Sequence, residues 1–263
     1  MTAPEPGSDN PTDILRLEGA YRVRFDEATP DGLAKTSALL GYLGDVAWRH
    51  SEVLGFPRGW YRQRGLAWVV RAIDLDLVAP IRDGDEIRVS TRIAGFRRVL
   101  CRRHSELRGA DGAPAGDASV DWAMTDGRAP TRIPGDFARI PGIDMTAFAP
   151  TRVDLPPAPA SAVELGLVPR LRELDPVGHV NNSVYLDWLD EAVAATGGIE
   201  QVRAARRRYR VAYLRSAGPG DALRSIAWSD GAGWAWRLAD DAGDLVVGRL
   251  DPGSSAQPSA PRR

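Results

Sequence analysis

Four residues able to move protons or form strong hydrogen bonds lie close together in the stretch LDPVGHVNNSVYLDWLDEA: Asp175, His179, Asn181 and Asn182. An apolar pattern with helical spacing begins directly after them. A helix N-terminus leaves backbone N–H groups unpaired and carries partial positive charge. A carboxylate, an imidazole and such N–H groups could together activate water and stabilise an oxyanion. Each residue also has a purely structural reading, since Asp-Pro opens turns and Asn caps helices.

Other kinds of catalytic and metal chemistry have weaker support. Cys101 is the only cysteine, so no disulfide forms within the chain. It lies three residues before His104 on a predicted strand, where such residues face opposite sides and cannot form a dyad. There is no G-x-S-x-G serine elbow and no glycine-rich phosphate loop. We expect structural roles for His50 and His104, no metal site and no cofactor.

The overall composition excludes several partner classes. The chain has 263 residues, 43% hydrophobic and 26% charged, with a formal net charge of −1. This balance gives no reason to expect nucleic acid or a membrane surface as a partner. No apolar run approaches the roughly 20 residues of a spanning helix. The acidic, proline-rich N-terminus does not resemble a secretion signal or a transit peptide, which predicts a cytoplasmic protein.

Composition along the chain predicts two domains of comparable size. Residues 1–13 and 252–263 are rich in proline and small polar residues and are expected to be disordered tails. A proline-rich linker is predicted over residues 138–162. It separates an N-terminal domain, residues 14–137, from a C-terminal domain, residues 163–251, that carries the Asp175–Asn182 cluster.

Each domain repeats one order of predicted elements: a strand, a helix and then four antiparallel strands. The fold class is therefore α+β, with each helix wrapped by a curved antiparallel sheet. In the first half the strand is 21–28, the helix 36–54, and the later strands 66–78, 85–96, 98–108 and 118–126. In the second half the strand is 167–175, the helix 182–196, and the later strands 206–217, 221–230, 233–241 and 243–251.

The two helices can also be aligned as sequence. Laying SALLGYLGDVA (37–47) on NSVYLDWLDEA (182–192) places Leu43 on Trp188. Lys35-Thr36-Ser37 is then taken as the counterpart of His179-Val180-Asn181. No histidine lies in that first-half turn, so we expect the first repeat to be non-catalytic.

Strand, Asp-x-x-Gly-His-Val-Asn-Asn and helix together resemble the hotdog-fold thioesterases. The duplicated layout, with this motif opening only the second helix, is similar to the acyl-acyl-carrier-protein thioesterases, tandem hotdog enzymes that release fatty acids from their carrier. YRVRFDEATPDG and the helix ending RHSEVLGF also resemble the start of that family's first repeat. The resemblance covers most of residues 20–250. It implies a thiolester hydrolase of fatty acid biosynthesis whose partner is acyl carrier protein or coenzyme A.

The resemblance implies catalytic roles for Asp175 and His179, and Asn181 is taken as a third catalytic candidate. Asp175 would act as general base or as nucleophile through its carboxylate. His179 would orient water, share its proton with the leaving thiolate, or bind the thioester carbonyl. Asn181 would hold the loop. We expect the Asp175 carboxylate and the His179 imidazole to face one apolar channel beside unpaired amide groups.

Substrate-binding roles are expected for Gly178, Asn182 and Trp188. Gly178 would allow a sharp turn and close approach of the substrate to the backbone. Asn182 would support or cap the helix entrance, and Trp188 would pack on a core surface that also contacts the acyl chain. In the first repeat, Leu66, Trp68 and Val70 are expected to frame the acyl tunnel.

The chain departs from the plant members of that family at three positions. Val177 replaces an asparagine two residues before the histidine, and Ser216-Ala217 replace a Glu-Cys pair. Three alternatives therefore stay open: an acyl-coenzyme A thioesterase, a hydratase or dehydratase of the same fold, and a non-catalytic acyl-binding protein. A helix carboxylate, Glu191, is a further candidate acid.

The basic run RAARRRYR (203–210) has two readings. It could dock an acidic carrier protein, or it could form a solvated sheet edge that discourages further pairing. Because two repeats in one chain already form a pseudo-dimer, a monomer or a homodimer is expected.

Overall fold

The computed structural model describes residues 15–140 and 148–253. The predicted N-terminal tail and part of the predicted linker, residues 141–147, lie outside these ranges. Of the predicted C-terminal tail, Pro252 and Gly253 are described, and Pro252 is the last residue of a strand. In these ranges no helix is long and apolar enough to cross a membrane.

Four helices and ten strands form the described part of the fold. The helices are α1 (Thr36–Val53), α2 (Arg58–Gln63), α3 (Val184–Val193) and α4 (Ile199–Val202). The first five strands are β1 (Arg16–Arg22), β2 (Ala67–Leu77), β3 (Glu86–Arg97), β4 (Leu100–Gly109) and β5 (Pro114–Thr125). The last five are β6 (Val163–Leu167), β7 (Arg207–Tyr213), β8 (Leu223–Asp230), β9 (Gly233–Asp240) and β10 (Gly243–Pro252).

The strands form one antiparallel sheet in the order β1-β3-β4-β5-β2-β7-β10-β9-β8-β6. Read outward from the centre, the two halves of this order have the same connectivity. The predicted order of strand, helix and antiparallel strands is therefore present twice. The halves join where β2 pairs with β7, with Ile73 opposite Val211 and Leu75 opposite Tyr209.

Helix α1 forms because its apolar residues recur at helical spacing and face the sheet. Its inward side chains are fully or almost fully buried, including Leu39, Leu43 and Val46. Lys35, rather than Thr36 or Ser37, takes the capping position and makes no side-chain cap. The helix ends before Gly55, whose φ of +88° suits glycine.

Helix α3 is shorter than predicted. It ends at Val193, and a wide turn over residues 194–198 leads into α4. Gly197 has φ +95° inside this turn. A Cβ atom on Gly198 would lie 2.5 Å from the Trp234 ring, so this position requires glycine for close packing.

Two strand predictions were wrong by several residues. Strands β1 and β6 begin five and four residues before the predicted segments and overlap only their first residues, and short helical turns occupy residues 25–27 and 171–173. In each turn a glutamate accepts a backbone N–H three residues earlier: Glu27 from Arg24 at 2.9 Å and Glu173 from Arg170 at 2.6 Å. This local bonding replaces the strand ladder.

Matching hydrogen bonds fix how the repeats align. The bridges Ala28–Ala34 and Leu174–Val180 correspond, and the N–H groups of Lys35 and Asn181 bond to Glu27 and Glu173 respectively. The sequence alignment of the helices was therefore wrong by one residue: the counterpart of Trp188 is Tyr42 rather than Leu43. Lys35-Thr36-Ser37 correspond to Asn181-Asn182-Ser183, so the His179 counterpart is Leu33.

One apolar core spans both halves, and a second cluster lies under α1 and α2. The larger core contains α1, α3 and the inner faces of most strands. The smaller cluster is aromatic, with Phe56 and Phe137 stacked at 4.1 Å between ring centroids. This aromatic cluster borders the cavities described next.

Candidate functional site

The loop from Asp175 to Asn182 is a tight turn that precedes α3. The Asp175 N–H donates to the His179 carbonyl at 2.8 Å, and the Gly178 N–H donates to the Asp175 carbonyl at 2.9 Å. Gly178 has φ +89°, a backbone conformation that L side chains rarely adopt. The turn therefore requires glycine at 178, as the sequence predicted.

The Asp175 carboxylate is half-buried and is held by its own loop. Its Oδ1 accepts the Val177 N–H at 2.8 Å and the His179 N–H at 3.3 Å. Within the described residues it forms no ion pair with His179 inside 4.0 Å. One carboxylate oxygen thus fixes the turn, while Oδ2 makes no hydrogen bond to a described residue.

His179 is exposed and lines none of the five main cavities in the described part of the chain, and Asp175 lies outside their walls as well. None of these cavities is therefore the apolar channel that Asp175 and His179 were expected to share. Val180, 3% exposed, points into the core, and its N–H bonds to the Ala217 carbonyl. His179 lies in the bend directly before Val180, and its side chain is exposed.

Asn181 and Asn182 bring this loop to a cavity. The Asn181 Oδ1 accepts the backbone N–H of Ser183 at 3.0 Å and its hydroxyl at 2.9 Å. The Asn182 carbonyl accepts the Tyr213 hydroxyl at 2.9 Å. These bonds fix the entrance of α3, where the N–H groups of Ser183, Val184 and Leu186 donate to Asn181 and Ser183 and the helix dipole places partial positive charge.

The loop cavity, about 160 Å³, lies between this entrance and helix α1 of the first repeat. Its walls are Leu40, Gly41, Leu43, Gly44, Ala47, Val70, Arg103, Ser105, Val120, Trp122, Asn181, Asn182 and Ser183. Gly41 and Gly44 leave open space that Cβ atoms would enter without contact. The polar loop of the second repeat thus meets an apolar space formed mainly by the first.

An inner cavity of about 30 Å³ lies between the loop cavity and the aromatic cluster. The two share Gly44, Ala47, Arg103 and Trp122 as walls. Its other walls are Trp48, Ser51, Trp68, Ile93, Cys101 and Phe137. Of the predicted tunnel residues, Trp68 and Val70 line this path, whereas Leu66 packs in the aromatic cluster without lining either cavity.

Arg103 was not singled out from the sequence, yet it is the charged residue in the walls of both cavities. It is 9% exposed, and its Nη1 lies 2.8 Å from His50 Nδ1. Burial lowers the pKa of Arg103. The signal was present in the sequence: Arg103 shares the inward period-two register of β4 with Cys101, Ser105 and Leu107.

Cys101 lies in the inner cavity wall and is buried. Burial raises the pKa of its thiol to about 12, so the thiol stays protonated at neutral pH. His104 lies on the opposite face of β4, as the alternation predicted. These two residues therefore do not form a catalytic pair.

Trp188 lies on a different cavity from the Asp175 loop. This α3 cavity, about 660 Å³, separates α3 from the loop at residues 29–36. Asp187, Asp190 and Glu191 also line it, and burial raises the pKa of all three carboxyls. Asp190 was missed in the sequence: its pKa rises to about 7, and it accepts the Tyr209 hydroxyl at 2.9 Å.

Residues at the positions that depart from the plant pattern surround the loop. Val177 is 75% exposed. Ser216 is exposed, and Ala217 is buried, where its N–H donates to the Tyr185 hydroxyl at 2.9 Å. In this chain Ala217 therefore supports the loop through its backbone.

The basic run ends on β7, which holds its residues 207–210 at the centre of the sheet, so its reading as a sheet edge was wrong. Arg208 pairs with Asp74 at 2.6 Å and Arg210 with Asp251 at 2.7 Å. Arg203 pairs with Asp31 at 3.0 Å, and Arg207 is buried. Much of the run's charge is thus compensated within the fold.

Comparison with known proteins shows two matching family models. A model described as the acyl-ACP thioesterase N-terminal domain matches residues 16–140, and one for the C-terminal domain matches residues 158–236. The chain is 24% identical to a chloroplastic palmitoyl-acyl carrier protein thioesterase of Cuphea hookeriana over 268 residues. That match covers 91% of this chain and 62% of the relative, so the chain spans less than two thirds of that protein.

Solved structures share the fold. The 12:0-ACP thioesterase from Umbellularia californica superposes with a TM-score of 0.75 at 21% identity, covering 90% of this chain and 96% of that one. An acyl-ACP thioesterase from Bacteroides thetaiotaomicron gives 0.75 at 17% identity, covering 92% and 99%. The predicted α+β fold of two tandem hotdog repeats is confirmed.

Proposed function

Because the chain belongs to the acyl-ACP thioesterase family, we propose that it hydrolyses the thioester of a fatty acyl carrier protein. The products are a free fatty acid and the carrier's thiol. One observation carries the proposal: the Asn181–Ser183 segment at the entrance of α3 opens onto a cavity that continues between apolar walls into the first repeat.

In this proposal the acyl chain occupies the loop and inner cavities. Their walls are mainly apolar, and burying methylene groups there contributes binding energy of about 0.8 kcal/mol each. The thioester then lies at the entrance of α3. The partial positive charge at the N-terminus of α3 stabilises the oxyanion that forms when the carbonyl carbon is attacked.

Asp175 is the proposed base or nucleophile. Its Oδ1 is held by two backbone N–H groups, which leaves Oδ2 to accept a proton from water or to attack the carbonyl carbon. In the first route water adds to the carbonyl carbon, its proton passes to Asp175, and collapse of the intermediate breaks the C–S bond. In the second, an acyl-enzyme anhydride is hydrolysed afterwards.

His179 suits the leaving group. The carrier arm enters from solvent, so the thiolate leaves on the exposed side of the loop, where His179 lies. Its imidazole can supply the proton that the thiolate takes up. Asn181 is proposed to position the loop.

The substitution Asp175→Asn tests this proposal. Asparagine keeps an Oδ1 acceptor for the Val177 and His179 N–H groups and removes the carboxylate. We expect acid release from acyl carrier protein thioesters to fall by at least about 100-fold, with the melting temperature unchanged. Asp111→Asn is the matched control, because Asp111 also accepts a backbone N–H in its own turn, from Ala113 at 2.9 Å, far from the cavities.

Full activity of Asp175→Asn would overturn the assigned role. Running acyl-coenzyme A thioesters in parallel identifies the carrier. A second function, acyl binding without hydrolysis, is favoured by one observation: His179 lines none of the described cavities. Acyl binding by a wild type that hydrolyses neither carrier's thioester would establish that second function.

A further inference from the structure

The walls of the acyl path contain one buried N–H group without an acceptor and one buried cation without a carboxylate partner. Trp122 Nε1 is buried and makes no hydrogen bond within the described residues. Arg103, nine-tenths buried, forms no ion pair inside 4.0 Å with any described carboxylate. Both residues line the loop cavity and the inner cavity. Both side chains thus belong to the wall that the two cavities share, with the Trp122 N–H covered by its neighbours.

His50 does not compensate the charge of Arg103. Arginine has donors and no acceptor, so the His50 Nδ1 at 2.8 Å must accept the bond from Nη1. That nitrogen therefore carries no proton, and the ring supplies no negative charge. The other ionisable side chain in the walls of these cavities, the Cys101 thiol of the inner cavity, remains protonated.

Two serine hydroxyls in these walls already have partners. The Ser51 hydroxyl donates to the Phe56 carbonyl at 3.0 Å, and the Ser105 hydroxyl donates to Thr91 Oγ1 at 3.0 Å. An entirely hydrocarbon chain would leave the charge of Arg103 without a counter-charge and the Trp122 N–H without an acceptor, which is unfavourable for buried groups.

We infer that this path is built for an acyl chain that carries an oxygen acceptor, which Arg103 and the Trp122 indole N–H bind between the loop cavity and the inner cavity. The acceptor is an oxo, hydroxyl or carboxylate oxygen on the chain itself, separate from the thioester carbonyl at α3. This inference rests on the proposed function and specifies its substrate class.

The test compares acyl carrier protein thioesters of one chain length: unsubstituted, β-hydroxy, β-oxo and ω-carboxy. The quantity compared is the ratio of kcat/KM for each oxygenated chain to that for the unsubstituted chain. A bond to a charged donor is expected to favour at least one oxygenated chain by about 10- to 100-fold. Which chain is favoured identifies the acceptor.

Two variants attribute the preference to these donors. Arg103→Met keeps an unbranched side chain, and Trp122→Phe removes the N–H while keeping an aromatic ring. Both are expected to reduce the ratio towards one, while thermal unfolding monitors the fold. Trp228→Phe is the control, because Trp228 Nε1 is also buried without a partner but lines none of the cavities in the described chain. Its ratio should equal that of the wild type.

Two results would overturn the inference. One is a wild type whose kcat/KM for the unsubstituted chain equals or exceeds its kcat/KM for each of the three oxygenated chains. The other is a ratio that stays unchanged in Arg103→Met and Trp122→Phe. If no thioester is hydrolysed, the proposed function fails separately. The dissociation constants of the corresponding free acids then decide the inference, by the same ratio and with the same variants.

Discussion

Asp190 on α3 is predicted to lower the stability of the fold at neutral pH. It lies in the wall of the α3 cavity, and burial raises its pKa to about 7. Asp187 and Glu191 raise it further, whereas the Tyr209 hydrogen bond and Arg207 oppose the shift. The perturbation is Asp190→Asn, which keeps an oxygen acceptor for the Tyr209 hydroxyl and cannot ionise.

The magnitude follows from linkage between protonation and folding. An unfolded aspartate has a pKa of about 3.9. Between that pH and about pH 7, a range of about three units, Asp190 is protonated in the folded state and ionised in the unfolded state. Stability therefore falls as pH rises through this window, and the loss is complete above about pH 7. Three units correspond to about 4 kcal/mol, which screening by water in the open cavity reduces to about 1–3 kcal/mol.

Urea unfolding followed by tryptophan fluorescence measures this difference. Asp190→Asn should be about 1–3 kcal/mol more stable than the wild type near pH 8, with the gain vanishing near pH 4. Asp45→Asn is the control, because Asp45 also bonds a tyrosine hydroxyl, that of Tyr21 at 2.7 Å, but is exposed. A gain independent of pH, or no gain near pH 8, would refute the reasoning.

Two further predictions concern packing and reactivity. Gly198→Ala should lower the free energy of unfolding by about 1–3 kcal/mol, because its Cβ would overlap Trp234 and Val193; Gly166→Ala, where a Cβ meets open space, should change it by under about 0.5 kcal/mol. Cys101 should react with a thiol reagent only at the rate of unfolding, because burial raises its pKa and blocks access; rapid labelling of the native chain would contradict its placement.

The spacing of apolar residues predicted the positions of helices and strands better than the direction of individual side chains. Helix α1 was predicted over 36–54 and is found over Thr36–Val53, because its apolar stripe and Gly55 are both local signals. The segment at 21–28 also alternates, yet Phe25 is 88% exposed in a short helical turn. Alternation alone does not distinguish a strand from a turn stabilised by Glu27.

The candidate loop was recognised from residue types, but its orientation depends on long-range contacts. Val180 packs in the core and donates its N–H to the Ala217 carbonyl, and His179 next to it is exposed. No local pattern encodes that contact, which spans two elements. Arg103 is the opposite case, because its inward position follows from the period of β4. That it has no carboxylate partner among the described residues can be seen only once the whole sheet is assembled.

The role of the basic run also depends on which strands lie next to β7 in the sheet. Five neighbouring arginines read as a surface patch in sequence. In the fold, β7 lies between β2 and β10, so Asp74 and Asp251 from the adjoining strands take Arg208 and Arg210. The sequence does not give the order of the strands in the sheet. The partners of these arginines depend on that order, so they could not be predicted either.

Gly44→Leu tests most directly whether an acyl chain lies in the path from the α3 entrance into the first repeat. Gly44 lines both cavities, and a Cβ there meets nothing within 4 Å, so the variant should fold while its side chain fills the junction. We expect kcat/KM for acyl carrier protein thioesters to fall by about 100-fold, with Gly59→Leu on α2 retaining the wild-type value. Undiminished hydrolysis by a well-folded Gly44→Leu would contradict the account.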